Sequence, residues 1–248
     1  MRAVKTFLAA LLLASSFGVS AASQGDFRNC PQFFVNGTVP VGAQLETLRP
    51  RALCYEAFAV LHSGTTKTPV YVAERLNRTQ MLDAKGEKRH NKFFADARLP
   101  RSERAELDDY RGSGMDRGHM APAANMPNET AMEQSFSLAN IVPQDPTHNQ
   151  KLWAGIEKAT RKFAMRAEGN VFVITGPVFD NNSDYKQGPN GVRVPSHLFK
   201  LVYDEASGRA WAHWSENSAD AQGGRPISYQ ELVQRTGIHF LPGINVKL

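Results

Sequence analysis

Two predicted β-hairpins bracket one long amphipathic helix, and this order of elements limits the folds that the chain can adopt. The strand segments are rich in β-branched and aromatic residues, and turn residues separate them, which is typical of antiparallel hairpins. We expect the third strand to end at Gly176-Pro177, because proline cannot donate to a ladder. The predicted strands are 55–62, 70–76, 170–175, 198–203 and 209–214. These features favour an α+β protein with a largely antiparallel sheet and flanking helices.

The predicted helix runs from about residue 147 to residue 168. Either Asp145 or Thr147 can cap its N-terminus, and Gly169 is placed to end it. At about 100° per residue, Asn149 falls near the middle of the apolar stripe, in the first turn. An inward amide needs a partner, and simple capping of backbone groups is the alternative to a functional role. The apolar stripe consists of Leu152, Trp153, Ile156, Ala159 and Phe163.

The residues that indicate a chemistry are Asp116-Arg117-Gly118-His119 and Asn149, thirty positions after the histidine. A histidine can take a proton from water near neutral pH, and an amide oxygen can hold a hard cation beside a phosphate. Together they suggest metal-assisted phosphodiester hydrolysis. The other six histidines are interpreted as structural or surface residues. Taken alone, Glu157 and Arg161 would be an ordinary helix ion pair, because they are four positions apart.

The length and the first residues predict the domain organisation. The 248 residues are enough for one domain with a full hydrophobic core. Arg2 and Lys5 precede an apolar run at 7–13 and small residues up to Ala22, which is the pattern of a secretory signal peptide. We expect a signal peptide at 1–22 and one domain at 23–248. The protein should be exported, either periplasmic or secreted, and free of the membrane once the leader is removed.

Charge and cysteine content narrow the function without naming it. The formal net charge is +5, and losing the two positive residues of the leader leaves +3, which does not by itself establish nucleic-acid binding. The sequence leaves open whether the basic residues near the motifs form one surface. Cys30 and Cys54, the only cysteines, favour a disulfide over a metal or redox site in an exported chain. The basic residues near the motifs are Arg89, Lys92, Arg117, Lys158, Arg161 and Lys162.

Several segments closely resemble the DNA/RNA non-specific endonucleases, a family that includes Serratia-type and endonuclease G-like nucleases. Residues 116–122 read DRGHMAP and residues 138–144 read LANIVPQ, followed by Asn149-Gln150. The resemblance covers roughly residues 52–243 and implies a ββα-metal fold, in which the Asp-Arg-Gly-His segment lies on a hairpin and the helix of Asn149 packs across it. Further matching positions are Trp153, Glu157, the segment 173–179, Val194-Pro195, Lys200, Thr236-Gly237-Ile238, Phe240 and Pro242.

The resemblance also implies roles for individual residues. His119 would be the general base that activates water, and Asn149 the one direct protein ligand of a Mg²⁺ ion, for which Mn²⁺ can substitute. Glu157 would orient water molecules around the cation. Such a sparse ligand set agrees with the preference of Mg²⁺ for keeping several waters.

The same resemblance assigns phosphate binding to arginines. Arg117 and Arg161 would clamp phosphate oxygens through charge-assisted hydrogen bonds. Arg89 would join them, although Lys88 is an alternative because the match around it is loose. Asn140 corresponds to the asparagine of the second family motif and would position other groups. Only the N-terminal cysteine pair is present, so no disulfide placement is carried over from the Serratia-type members.

The expected reaction is an in-line attack of water on phosphorus that leaves 5′-phosphate and 3′-hydroxyl ends, on DNA and RNA alike. Sequence selectivity should be weak, because the named residues contact phosphate and metal rather than base edges. One alternative is a non-catalytic nucleic-acid-binding or uptake protein on the same fold, and another is a phosphodiesterase of small nucleotides or phospholipids. A zinc hydrolase is disfavoured because the sequence has no His-Glu-x-x-His motif. A homodimer is compatible with the sequence, and an inhibitor protein is unknown.

Overall fold

The computed structural model describes residues 26–180 and 185–247. The predicted signal peptide at 1–22 lies outside these residues. Within them, an antiparallel sheet of seven strands dominates, with the strand order β1-β2-β3-β6-β9-β10-β11, so the predicted α+β architecture is confirmed. The strands of this sheet are β1 (Pro50–Cys54), β2 (Phe58–Ser63), β3 (Thr68–Leu76), β6 (Val171–Val178), β9 (His197–Asp204), β10 (Arg209–Glu216) and β11 (Ile227–Ser228).

Two small antiparallel ladders accompany the large sheet in the described parts of the chain. The first pairs β4 (Asp116–His119) with β5 (Ile141–Gln144), and the second pairs β7 (Lys186–Gln187) with β8 (Val192–Arg193). The helices are α1 (Arg78–Asp83), α2 (Glu129–Ser135), α3 (Ala154–Ala164) and α4 (Tyr229–Thr236). A π-helical segment, His148–Trp153, leads directly into α3. β4, β5 and this helix therefore form a ββα unit.

The large sheet packs on both faces, because alternate residues of its strands enter different cores. On one face, Leu61, Tyr71 and Ile174 pack with the N-terminal arm and with Leu232 of α4. On the other face, apolar residues of the same strands pack beneath the ββα unit and α2. The residues of this second face include Phe58, Val60, Val72, Leu76, Val171, Val173, Leu198 and Val202.

Two predicted boundaries differ from the structure. β6 continues through Pro177, which lies opposite Leu198 of β9. The ladder between β6 and β3 ends at Thr175. The missing N–H of Pro177 therefore removes no hydrogen bond to β3. The helix ends at Ala164 rather than near residue 168, so Gly169 does not provide its cap.

The N-terminal arm, the part of the described chain that precedes β1, is irregular and contains three short 3-10 helices: Pro31–Phe33, Val35–Gly37 and Ala43–Leu48. The predicted disulfide is present, and it joins Cys30 of the arm to Cys54 at the end of β1. Among the described residues, no helix has the length and apolar character needed to span a bilayer.

Candidate active site

The Asp-Arg-Gly-His segment is fixed by close packing around its glycine. Gly118 faces Gln144 so closely that a Cβ at position 118 would lie 2.7 Å from the Cβ and 2.9 Å from the Cδ of Gln144. Gln144 donates from Nε2 to Nδ1 of His148 at 2.8 Å, and the other ring nitrogen of His148 bonds the Ser215 hydroxyl at 2.8 Å. The ladder is thereby tied to the start of the helix and to β10. These bonds also agree with the structural interpretation of His148.

His119 ends β4 with its ring between aromatic side chains. The ring centroids of Phe136 and Phe93 lie 4.9 Å and 5.5 Å from that of His119, and the histidine is 8% exposed. Its Nε2 atom is buried and has no hydrogen-bond partner among the described residues. Burial, together with the positive charges of Arg89 and Arg117, lowers the pKa of His119 to about 3. The imidazole is therefore neutral at pH 7, with a nitrogen that can accept a proton.

Asn149 lies in the π-helical segment, a conformation that often occurs at functional sites. The segment is capped by Asp145, whose Oδ1 accepts from the backbone nitrogen of His148 at 2.9 Å. The amide of Asn149 instead donates from Nδ2 to Oδ2 of Asp116 at 2.9 Å, and Gln150 donates to the same oxygen at 2.8 Å. Because Asp116 holds the amide nitrogen, the Oδ1 atom of Asn149 stays available as a ligand.

The amide oxygen of Asn149 suits a cation that keeps most of its bound water. Within residues 26–180 and 185–247, no group of three or more His, Cys, Asp or Glu side chains could enclose a metal ion. Mg²⁺ needs no such cage, since it keeps several waters and takes one or two protein oxygens. The half-buried amide of Asn149, oriented by Asp116, fits that requirement.

Glu157 and Arg161, both half-buried, belong to α3 and lie near buried charges of the sheet. Glu74 and Lys200, each 1% exposed, interact electrostatically with both helix residues. Arg161 donates from Nη1 to Oδ1 of Asn125 at 3.4 Å, and Asn125 donates from Nδ2 to Oε1 of Glu74 at 2.8 Å. Burial raises the pKa of Glu157, against the opposing charges of Lys200 and Arg161. We call Glu74, Glu157, Arg161 and Lys200 the buried charge cluster.

Asn140 holds the chain that follows His119. It is fully buried, and its Oδ1 accepts from the backbone nitrogen of Ala121 at 2.8 Å. Its Nδ2 donates to the carbonyl oxygens of Ala121 and Ser135, both at 2.9 Å. These bonds use both amide hydrogens and the amide oxygen, so the contacts of Asn140 are those of a positioning residue.

The two arginines that depress the pKa of His119 both lie over aromatic rings beside it. The guanidinium carbon of Arg117 is 4.2 Å from the centroid of Phe93, and that of Arg89 is 5.3 Å from the centroid of Phe136. Both arginines are exposed, so their charges can meet a phosphate.

A groove of about 740 Å³ opens beside Arg89 and Arg161, and we call it the methionine groove. Its apolar lining consists of Met81, Ala84, Ala123, Ala124, Met132 and Met165. Its charged lining consists of Lys85, Glu87, Arg89, Lys158, Arg161, Lys162 and Arg166. The structure thus brings together Arg89, Lys158, Arg161 and Lys162, whereas Arg117, Lys92 and Lys88 lie outside the described lining.

Sequence reasoning missed the aromatic side chains around His119. It also missed Glu74 as a buried charge near Glu157 and Arg161. Phe93 and Phe136 are distant from His119 in sequence and carry no local signal. Glu74 did carry one, because it lies between Val72 and Leu76 on the inward face of a predicted strand, where a charged residue is unusual.

Comparison with known proteins shows which family this chain resembles. The family model for DNA/RNA non-specific endonucleases matches residues 41–247. Human "Endonuclease G, mitochondrial" is 38% identical over 180 residues, which cover 68% of this chain and 58% of that protein. The bovine protein of that name is 35% identical over 211 residues, covering 81% of this chain and 68% of its own length. Human "Nuclease EXOG, mitochondrial" is 31% identical over 214 residues, covering 78% and 58%.

A solved structure of an EndoG/EndoGI complex shares the fold. Its TM-score is 0.68 at 24% sequence identity, and the match covers 78% of this chain and 86% of that one. This likeness confirms the α+β fold with its large antiparallel sheet.

The relatives correct the predicted location. The human, bovine and yeast relatives are named as mitochondrial nucleases. This finding contradicts the predicted periplasmic or secreted location, so the prediction of export is wrong. The physical reason is that mitochondrial targeting peptides are also basic and poor in acidic residues. The charge pattern of residues 1–22 therefore does not separate the two destinations.

The family model extends over most of the chain and includes both motifs from which the resemblance was inferred. This chain therefore belongs to the DNA/RNA non-specific endonuclease family.

Proposed function

We propose that the chain is a metal-dependent nuclease that hydrolyses phosphodiester bonds of both DNA and RNA. The observation that carries this proposal is the buried, neutral imidazole of His119. Its Nε2 atom has no partner within the described residues, and Arg89 and Arg117 lie beside it. A base with cations next to it suits the attack of water on an anionic phosphate.

His119 would take the proton of the attacking water on Nε2. The water oxygen then forms a bond to phosphorus while the bond to the 3′-oxygen breaks, and the departing oxygen gains a proton from solvent. The products carry 5′-phosphate and 3′-hydroxyl ends. A phosphate between Arg89 and Arg117 would offset the charges that lower the pKa of His119, so substrate binding itself would strengthen the base.

Asn149 would hold Mg²⁺, or Mn²⁺ in its place, through the amide oxygen that Asp116 leaves available. When bound, the cation would supply positive charge to the phosphate and the leaving oxygen. Glu157 would accept hydrogen bonds from solvent near the cation and keep that water oriented.

Arg117, Arg161 and Arg89 would bind phosphate oxygens, and Asn140 would hold the backbone after His119. Because these contacts go to phosphate and not to base edges, the enzyme should not select sequence. Contacts of this kind also predict that binding weakens steeply as salt rises.

The test uses supercoiled plasmid and RNA with the purified protein, in Mg²⁺ and in EDTA. We expect wild type to cleave both polymers only with the metal, and His119→Ala to lose about 10²–10⁴-fold in kcat. Asn149→Ala should need far more Mg²⁺ for half-maximal rate. His239→Ala is the matched control, because His239 is exposed and should keep full activity.

Metal-dependent cleavage that survives in His119→Ala would assign the base to another residue. Hydrolysis of a small phosphodiester without cleavage of either polymer would favour the small-diester enzyme instead. Products with 3′-phosphate ends would contradict the proposed bond cleavage. The homodimer and the single domain at 23–248 stay predictions.

A further inference from the structure

The rim of the methionine groove is strongly cationic. Within the described residues, its lining has six basic side chains and one acidic one, Glu87. Lys85, Lys158, Lys162 and Arg166 are exposed at this rim. An occupant with several negative charges would therefore complement the groove better than a neutral or cationic one.

The interior of the groove is apolar and adaptable. Met81 is 3% exposed and Met132 is 2% exposed, and Ala84 and Ala123 are also buried. Together with Met165, three of the seven methionines of the chain line this one groove. Methionine side chains are flexible and polarisable, and they make favourable contacts with aromatic rings of different shapes. Such a lining would accept a flat ring without selecting among related rings.

The groove continues from the candidate active site. Arg89 and Arg161 belong to its lining, and the guanidinium carbon of Arg89 is 5.3 Å from the centroid of Phe136. The ring of Phe136 lies in turn 4.9 Å from that of His119. A strand with its phosphate at His119 would therefore pass these arginines into the groove.

We propose that the methionine groove binds one unstacked base of the substrate strand near the scissile phosphate, with flanking phosphates on the basic rim. This inference rests on the proposed nuclease function. A groove of about 740 Å³ falls within the roughly 300–1,000 Å³ of pockets that hold small molecules, so it can contain a base and its sugar. Because the base must leave its stack, single-stranded DNA or RNA is bound better than duplex.

The test maps cleavage along a labelled single-stranded oligonucleotide of one repeated base that carries a single abasic nucleotide. Wild type should cut less often at one fixed spacing from the abasic position, where the groove receives no base. Ala124→Leu fills the groove from an exposed position, so it leaves no cavity in the core. In this variant the reduced cleavage at that spacing, which we call the dip, should disappear. Its KM for the intact strand should be about tenfold higher than that of wild type.

Ala97→Leu is the matched control, because Ala97 is also exposed but lies outside the described lining of the groove, and it should behave as wild type. Circular dichroism checks that each variant is folded. If wild type cuts the strand with no dip and Ala124→Leu keeps its KM, the inference is overturned, and the groove would suit an acidic protein segment instead. If wild type cuts neither plasmid nor oligonucleotide, the proposed function fails, and this inference fails with it.

Discussion

At the scale of single residues, Gly118 shows why the motif needs a glycine between its arginine and its histidine. The backbone there has no need of a left-handed conformation, and the constraint is space. The side chain of Gln144 occupies the volume that a Cβ would need. Gln144 cannot move freely, because it is buried and bonded to His148.

Gly118→Ala should therefore destabilise the protein by about 1–3 kcal/mol, the usual result of overpacking, and reduce nuclease activity by displacing the neighbouring His119. Urea unfolding and plasmid cleavage measure the two effects. Gly155→Ala is the matched control in the same ββα unit, because a Cβ at this exposed position of α3 meets nothing within 4 Å. It should stabilise the protein by up to about 1 kcal/mol through helix propensity. Equal stabilities for the two variants would show that Gln144 yields without cost.

At the scale of elements, the disulfide and the candidate active site lie on opposite faces of the sheet. Cys30 fixes the N-terminal arm to the end of β1. Phe27 and Phe34 of the arm pack with Tyr71, at ring-centroid distances of 6.4 Å and 6.5 Å from it. His119 and Asn149 belong instead to the ββα unit on the other face. The covalent link should matter for stability and not for the chemistry.

The double variant Cys30→Ser, Cys54→Ser should lose about 3 kcal/mol of unfolding free energy in the chain-entropy description, because the sequence separation that the bond closes is 24. Its kcat should equal that of wild type at temperatures where both are folded. Reduced wild type should unfold like the double variant, and reductant should have no effect on the variant itself. A fall in kcat of the folded variant would mean that the arm influences the ββα unit through the sheet.

The sequence predicted five of the seven strands of the large sheet and the long helix α3, because alternation and helical periodicity are local properties. The hairpins of β2 with β3 and of β9 with β10 were expected, with ends shifted by a few residues. Pro177 was misjudged, since the sequence does not reveal that the ladder between β6 and β3 ends before this proline. The π-helical segment that contains Asn149 was not foreseen either. The bond from Asn149 to Asp116 of β4 was also not foreseen, because it arises from tertiary contact. His119 and Asn149 could be picked out from local motifs, whereas Phe136 reaches His119 only through tertiary packing.

At the scale of the whole molecule, the buried charge cluster connects the sheet to the ββα unit. Glu74 comes from β3, Lys200 from β9, and Glu157 and Arg161 from α3. Burial raises the pKa of Glu74 to about 7 from an ordinary 4.5, although Lys200 and the hydrogen bond from Asn125 oppose the shift. The folded protein therefore binds the carboxyl proton of Glu74 more tightly than the unfolded chain does.

Two buried histidines change the pH dependence of stability in the opposite direction to Glu74. Burial lowers the pKa of His62 to about 4, and burial with two arginine charges lowers that of His119 to about 3, from an ordinary 6.5. Both histidines stay neutral in the folded protein while the unfolded chain takes up protons. Their contribution to stability is lost as pH falls below about 6.5. A measurement on wild type alone would mix these effects with that of Glu74.

The variant Glu74→Gln isolates the contribution of Glu74 to the pH dependence of stability. The histidine contributions are the same in wild type and in this variant, so they cancel when the two are compared. For Glu74 the folded pKa lies above the unfolded one, so the contribution of Glu74 to the unfolding free energy falls as pH rises from about 4.5 to about 7. The stability of Glu74→Gln relative to wild type should therefore increase by about 2–3 kcal/mol between pH 5 and pH 8. Urea unfolding at the two pH values measures this change. Glu133→Gln, at an exposed position of α2, should show no such increase. Parallel pH profiles for wild type and Glu74→Gln would mean that Glu74 is already ionised at pH 5, so that Lys200 and Asn125 compensate fully for its burial.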